Sequence, residues 1–271
     1  MKTLFYATLI FLVAFCSFAS ADEITPVASK TGTAKFFLEP TFGSWYGTSD
    51  DGDWYGAFGE LTLWREETDK EKRWSPGFDV LASYSHGRVG DSSYKWNEKS
   101  IGGGPAIKYA DHDAEHPWQW QLKARVLFEQ IDGNNPDDAY KVKQRSILLN
   151  PYTEYVGRIN QKWLWGATAE GRIALWRKID STWTDEIPSN RNTACGSLFA
   201  QYKFNRDIQG RLTLSGLYQG WDKKSGVELS PELRISEIVM LGVKGAVIGG
   251  ETVVTGFVRI ELGNPLRDIG L

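Results

Sequence analysis

Charged side chains recur at every second position within otherwise apolar segments of this sequence. In residues 118–130, Lys123, Arg125 and Glu129 share one phase of the alternation. Opposite charges gathered on one face can form ion pairs, and they can also line a water-filled space that selects polar solutes by charge. By the same alternation we place these ionisable residues on the polar face: Glu39, Glu60, Asp79, Lys108, Lys123, Arg125, Glu129, Glu154, Glu170, Arg172, Lys203, Arg211, Glu232, Arg234, Lys244, Arg259 and Glu261.

Arrangements typical of catalysis are weak. His86 lies near Ser83 and Ser85, which leaves a lipid hydrolase open as an alternative, although no G-x-S-x-G elbow is present. Glu66 and Glu67 are adjacent, so within a strand they would face opposite sides and could not flank one glycosidic bond. We therefore predict no enzymatic activity.

Metal-ligand spacing is equally weak. His112 and His116 are four residues apart, but Pro117 follows at once and favours a turn over the helix that would bring two imidazoles to one face. The acidic segments 50–53 and 132–138 offer oxygen ligands that Ca²⁺ prefers, yet neither matches the twelve-residue calcium loop. We predict solvated connections here, and no metal or cofactor.

The apolar spacing predicts strands. A period of two separates apolar from polar residues, whereas a helix would scatter both around its circumference. We count about twelve candidate strands, many of them near the roughly 9–11 residues that a tilted strand needs to cross a bilayer. They are 36–46, 54–65, 76–85, 94–109, 118–130, 141–156, 163–175, 194–204, 210–221, 227–236, 238–248 and 254–262.

The connections between these strands differ in length. Short connections near 158–161 and 205–208 alternate with longer polar segments rich in Gly, Asp, Asn and Pro, which are turn formers. Connections 66–73 and 110–117 are longer than such an alternation expects. The polar segments predicted at the opposite end are 47–53, 86–93, 132–138 and 180–192.

The first residues predict export. Lys2 precedes an apolar run over 4–18, and Ala19-Ser20-Ala21 has the small-x-small pattern of a signal-peptidase site. Cys16 suggests a lipoprotein cysteine as an alternative, but Phe15 occupies the position where a lipoprotein signal has a small residue. We predict cleavage before Asp22.

Composition excludes several classes. The chain has 31 Lys and Arg; without Lys2 there are 30 against 34 Asp and Glu, a net charge of −4 that favours no nucleic-acid partner. Cys195 is the only cysteine beyond the predicted cleavage site, so a disulfide framework is excluded. No segment after the signal approaches 18 uninterrupted apolar residues, which excludes a helical anchor.

Aromatic residues predict two interfacial belts. Trp and Tyr concentrate where a spanning protein meets the two membrane surfaces. We place Trp64, Trp74, Trp118, Trp120, Trp163 and Trp165 in one belt, and Tyr46, Trp54, Tyr94, Trp96, Tyr140, Trp176 and Trp221 in the other. The alternative is a secreted β-sandwich whose Trp residues form its core or stack on carbohydrate.

The signal peptide, the repeated alternation and the last strand, TVVTGFVRIEL at 252–262, resemble bacterial outer-membrane β-barrels as a class. No specific family is matched, and Leu262 closes the last strand where such proteins commonly have an aromatic residue. The resemblance implies one all-β, antiparallel, up-and-down transmembrane barrel, porin-like, in the outer membrane. The predicted organisation is a signal peptide at 1–21, a flexible segment at 22–34, the barrel at 35–262 and a tail at 263–271.

The predicted function is the passage or binding of a small hydrophilic solute through the charged lumen of a monomer surrounded by outer-membrane lipid. A packed interior of ion pairs is the principal alternative, and it would make the protein a plugged structural or surface-interaction barrel. In that case the 180–192 loop would bind the partner.

Overall fold

A computed structural model describes residues 34–49, 52–67, 72–89, 94–111, 114–135, 140–182, 192–205, 208–220, 223–235 and 238–262. The predicted signal peptide at 1–21 and the tail at 263–271 lie outside these residues. So does the predicted flexible segment, except for Ala34, which begins the first strand. Within the described residues, no helix has the length and apolar character required to cross a membrane.

Twelve strands account for nearly all of the described chain. Each pairs antiparallel with its neighbours in sequence, and the first pairs with the last, so the sheet closes into an up-and-down barrel. This confirms the predicted barrel and shows that the two-sheet sandwich is wrong. The strands are β1 (Ala34–Ser49), β2 (Gly52–Glu67), β3 (Lys72–Val89), β4 (Lys95–Asp111), β5 (Trp118–Asn135), β6 (Tyr140–Arg158), β7 (Trp163–Ser181), β8 (Thr193–Lys203), β9 (Ile208–Gln219), β10 (Lys224–Ile235), β11 (Val239–Ile248) and β12 (Glu251–Glu261).

The alternation of polarity sets which side of the wall each residue occupies. On β5, Val126 is 49% exposed on the outer surface, whereas the neighbouring Arg125 is 3% exposed and points inward. Leu122 and Phe128 share the outer face with Val126 and are also exposed. The molecule therefore has its apolar side chains outside and its charges inside, the reverse of a soluble protein.

Strand length divides the barrel into a tall and a short part. β1 to β7 contain 16–19 residues each, whereas β8 to β12 contain 10–12. The last pair between β7 and β8 is Arg172 with Thr193, so the rest of β7 rises beyond β8. The connections 66–73 and 110–117 are shorter in the structure than predicted, because β2, β3 and β4 each continue into them.

A run of glycines on β4 lies in close contact with the backbone of β5. A Cβ atom on Gly102 or Gly104 would lie 2.0 Å from the Val126 carbonyl oxygen or 1.9 Å from the Ala124 carbonyl oxygen, respectively. Only glycine permits this close approach of β4 to β5. Because the interior positions of β4 carry no side chain here, inward residues of β3 and β5 meet directly across it.

Candidate functional site

The barrel encloses a cavity of about 590 Å³ that reaches every wall. Its volume is within the range of small-molecule sites. Of the seventeen ionisable residues predicted on the polar face, all but Asp79, Lys108, Glu129 and Lys203 line this cavity: Glu39, Glu60, Lys123, Arg125, Glu154, Glu170, Arg172, Arg211, Glu232, Arg234, Lys244, Arg259 and Glu261.

One wall of the lumen carries a buried network of four charges from β2, β3 and β5. Arg125 contacts the Asp79 carboxylate, and its Nη2 lies 2.7 Å from Glu60 Oε1. Lys123 contacts Glu60, and its Nζ lies 3.2 Å from Asp79 Oδ1. Asp79 also accepts a hydrogen bond of 2.5 Å from the Thr62 hydroxyl. The two cations and two carboxylates compensate one another, so this network neutralises its part of the wall.

The facing wall, built by β9 to β12, holds three arginines and two glutamates. Arg259 Nε lies 2.9 Å from Glu261 and its Nη2 lies 3.7 Å from Glu232. Arg211 Nε lies 3.8 Å from Glu232, and Arg234 contacts Glu261. This wall therefore has one positive charge more than the carboxylates that pair with it.

Two carboxylates on β6 and β7 have neutral partners. Glu154 accepts a hydrogen bond of 2.5 Å from the Gln121 amide, and Glu170 accepts one of 2.9 Å from Asn150. Glu154 pairs in register with Thr168, two residues from Glu170, so the carboxylates are diagonal neighbours on the inner face. Among the described residues, neither forms an ion pair, so the lumen is locally negative here.

A further group of charges lies higher on the long strands. Arg172 Nη1 is 3.2 Å from Glu98 and 4.0 Å from Glu129. On the short side, Lys244 Nζ is 3.4 Å from Glu228. Glu129 is thus an inward ion-pair partner outside the cavity lining. Lys203 follows the inward phase of β8 at the opposite end of that strand.

An apolar cluster lies inside the barrel, among the residues of the predicted polar face. Leu81, Leu127 and Leu148 are buried against one another, and Phe58 packs beside them. These residues hold inward positions on β2, β3, β5 and β6. The sequence contains the signal, since each residue falls in the same phase as charged or polar residues of its own strand.

Five buried residues hold inward positions toward the end of the lumen near the N-terminal residue of β1, and we call this set the floor: Trp64, Lys108, Gln119, Leu164 and Met240. The cavity reaches the next layer, including Glu39 and Val156, but none of the floor residues lines it. Trp64 is 0% exposed and donates a hydrogen bond of 2.6 Å to Glu39, while the Lys108 ammonium lies 5.1 Å from its ring centre. The floor narrows this end.

Trp64 was predicted to lie in an interfacial belt, and that prediction is wrong. Trp54 and Trp96, assigned to the opposite belt, line the cavity. All three hold the inward phase of their strands, which strand-end position alone did not reveal. Other belt members do lie outside: Trp74, Trp163, Trp165, Trp176 and Tyr46 are exposed. Tyr140 and Trp221 have side chains outside the described residues.

The described residues that were considered for catalysis or metal binding do not come together in the structure. Ser83 and Ser85 line the lumen, whereas His86 lies on the outer face, where its Nδ1 is 2.9 Å from Asn97 Oδ1 and its ring packs on Tyr55. The serines and the histidine are thus on opposite sides of the sheet. In the part of the chain that the structure describes, no group of three or more metal-ligating residues occurs; His112 and Asp50 lie outside that part.

Comparisons with known proteins give a fold and no family. No family model matches the chain, and no curated protein matches it. The β-domain of the Bordetella autotransporter BrkA is similar in structure, with a TM-score of 0.50 and 13% identity over 83% of this chain and 98% of that one. The translocator domain of the autotransporter NalP from Neisseria meningitidis has a TM-score of 0.49 and 9% identity, over 96% of this chain and 99% of that one. The KdgM porin has a TM-score of 0.41 and 9% identity, over 81% and 98%. The chain has the closed antiparallel fold of bacterial outer-membrane β-barrels.

Proposed function

We propose that this chain spans the outer membrane of a Gram-negative bacterium as a monomer and forms a narrow passage for small hydrophilic solutes. The observation that carries the proposal is the cavity of about 590 Å³ with charges of both signs, enclosed by a wall whose outer surface is apolar. In this position the apolar side chains of the outer surface contact lipid, and the inward charges contact water in the lumen.

The charges that line the lumen favour the passage of polar solutes over that of strongly anionic or cationic ones. The four-charge network is balanced, the arginine wall has a positive excess, and Glu154 with Glu170 adds a negative one. A solute would therefore meet both signs at short range, and neither is strong enough along the whole path to exclude the other.

A plugged barrel is the second candidate, and the floor is the observation that favours it. Trp64, Leu164 and Met240 are apolar and buried. They contact residues that line the cavity, namely Glu39, Val156 and Arg259 respectively. A floor that stays shut would turn the passage into a binding pocket open toward the long connections.

Conductance separates these two functions. The full chain, purified in detergent, is added to planar bilayers in concentrated salt solution, and current steps are recorded. Discrete steps support the passage, whereas insertion without current favours the plugged barrel. Fractionation of cells that express the chain tests the location: recovery in the soluble periplasmic fraction would contradict the proposal as a whole.

A further inference from the structure

The outer face of the tall wall changes from apolar to basic within one step of the strand register. The last apolar row consists of Ile101, Phe128, Ile147 and Trp176, one residue from each of β4 to β7, paired in sequence across the strands and exposed. The next outward row consists of Lys99, Gln130, Arg145 and Lys178, again paired across the same strands. We call this second set the basic row.

The basic row concentrates positive charge in a small area. Neighbouring strands are about 4.8 Å apart, so the three cations fall within about 15 Å. Among the described residues, Lys99 and Arg145 make no ion pair, and Lys178 Nζ is 3.9 Å from Asp180, with both side chains more than half exposed. An exposed pair at this distance neutralises little charge.

The basic row is separated from the next outward row without acids, Lys95, Asn134 and Lys141, by a row of mixed sign. The following outward row, farther from the apolar surface, contains Asn97, Asp132, Lys143 and Asp180 and so mixes both signs. The level at which the basic row occurs is the one where lipid headgroups meet a spanning wall, since successive outward residues on a strand are about 7 Å apart.

We propose that the basic row binds the phosphate groups of anionic lipids in the outer leaflet; this inference rests on the proposed membrane position, with the long connections at this end of the barrel outside the cell. Lys and Arg near a membrane surface attract anionic headgroups, and their aliphatic stems lie along apolar surface while the charges reach the phosphates. Gln130, between Lys99 and Arg145, adds an amide that donates to the same oxygens.

The test uses the purified full chain in detergent micelles, with diphosphorylated lipid A as the probe and phosphatidylcholine as the neutral comparison. The triple variant K99Q/R145Q/K178Q removes the three cations and leaves the lumen unchanged. The matched control R65Q/K162Q removes two exposed cations from the other end of the barrel. Affinity for lipid A is expected to fall at least about tenfold in the triple variant and to stay within about twofold in the control.

Equal loss for phosphatidylcholine, or lipid A affinity in the triple variant within twofold of the original protein, would overturn the assignment. Heat-dependent migration in SDS gels shows whether each variant is folded, and bilayer insertion is measured in parallel. If the original protein fails to enter bilayers but the triple variant still loses its affinity, the proposed function falls and this binding surface stands. Insertion with equal affinities overturns the binding surface alone.

Discussion

Asp79 and Arg125 form an ion pair across an intervening strand. Asp79 lies on β3, Arg125 on β5, and the residue that pairs with Asp79 on β4 is Gly104. Since the inward positions Gly102 and Gly104 carry no side chain, the carboxylate and the guanidinium meet over the bare backbone of β4. The same gap lets Leu81 pack against Leu127. One short glycine run thus positions both the charged network and the apolar cluster.

A methyl group at Gly104 is expected to damage this part of the barrel. In Gly104→Ala, the new Cβ would approach the Ala124 carbonyl oxygen, a backbone atom that cannot move without breaking the β4–β5 pairing. Overpacking of this kind costs about 1–3 kcal/mol. The measurement is urea-induced unfolding in lipid vesicles, followed by tryptophan fluorescence.

Gly196→Ala provides the matched control for that variant. Gly196 faces outward on β8, and its Cβ would meet no atom within 4 Å. Its free energy of unfolding should stay close to that of the original protein. If both variants unfolded at the same urea concentration, close packing at β4 would not be the constraint inferred here.

The strands and their faces could be predicted from sequence, because the local alternation of polar and apolar residues determines which side of the sheet each residue faces. All twelve candidate segments correspond to strands, although 36–46 and 76–85 are shorter than β1 and β3. The network could not be predicted. Asp79 and Lys123 were both placed inward, but their contact depends on the glycine positions of β4 that carry no side chain between them, and alternation does not reveal this.

Removing one carboxylate from the network should be costly. Asp79→Asn keeps the shape of the side chain but leaves Lys123 and Arg125 buried with Glu60 as their remaining carboxylate partner. Breaking a buried pair from one side typically costs about 3–5 kcal/mol. The expected result is a lower urea midpoint for unfolding in vesicles.

Glu251→Gln is the comparison for this prediction. Glu251 pairs with Lys224 at 2.5 Å, and 46% of its side chain is exposed. Exposed pairs contribute about 0–1 kcal/mol, so its midpoint should barely move. A similar loss for the two variants would mean that burial does not govern the strength of these pairs.

The pair Glu154 and Glu170 should control ion selectivity. Both carboxylates line the cavity with amide partners, so the variant E154Q/E170Q removes two negative charges while keeping groups that accept hydrogen bonds. The arginine wall then dominates the local field. The reversal potential in a salt gradient should shift toward anion preference.

Glu251→Gln again separates a local from a general effect, because it removes an acidic charge outside the cavity. Its reversal potential should match that of the original protein. An unchanged potential in E154Q/E170Q would place the conducting path away from β6 and β7, in conflict with the cavity as the route.

Trp64→Ala should open the floor. The indole fills the lumen over Gly77, where a Cβ would lie 2.5 Å from its ring, and Glu39 and Lys108 hold it in place. Truncation removes that bulk and is expected to raise single-channel conductance severalfold. Because deleting a buried Trp also costs about 3–5 kcal/mol in stability, the measurement must count current per inserted channel rather than total current.

Trp163→Ala, on the outer face and 43% exposed, removes the same side chain without touching the lumen and should leave conductance unchanged. Equal conductance in all three proteins would mean that the floor is not the narrowest part of the path, and the charged layer above it would then limit the flow.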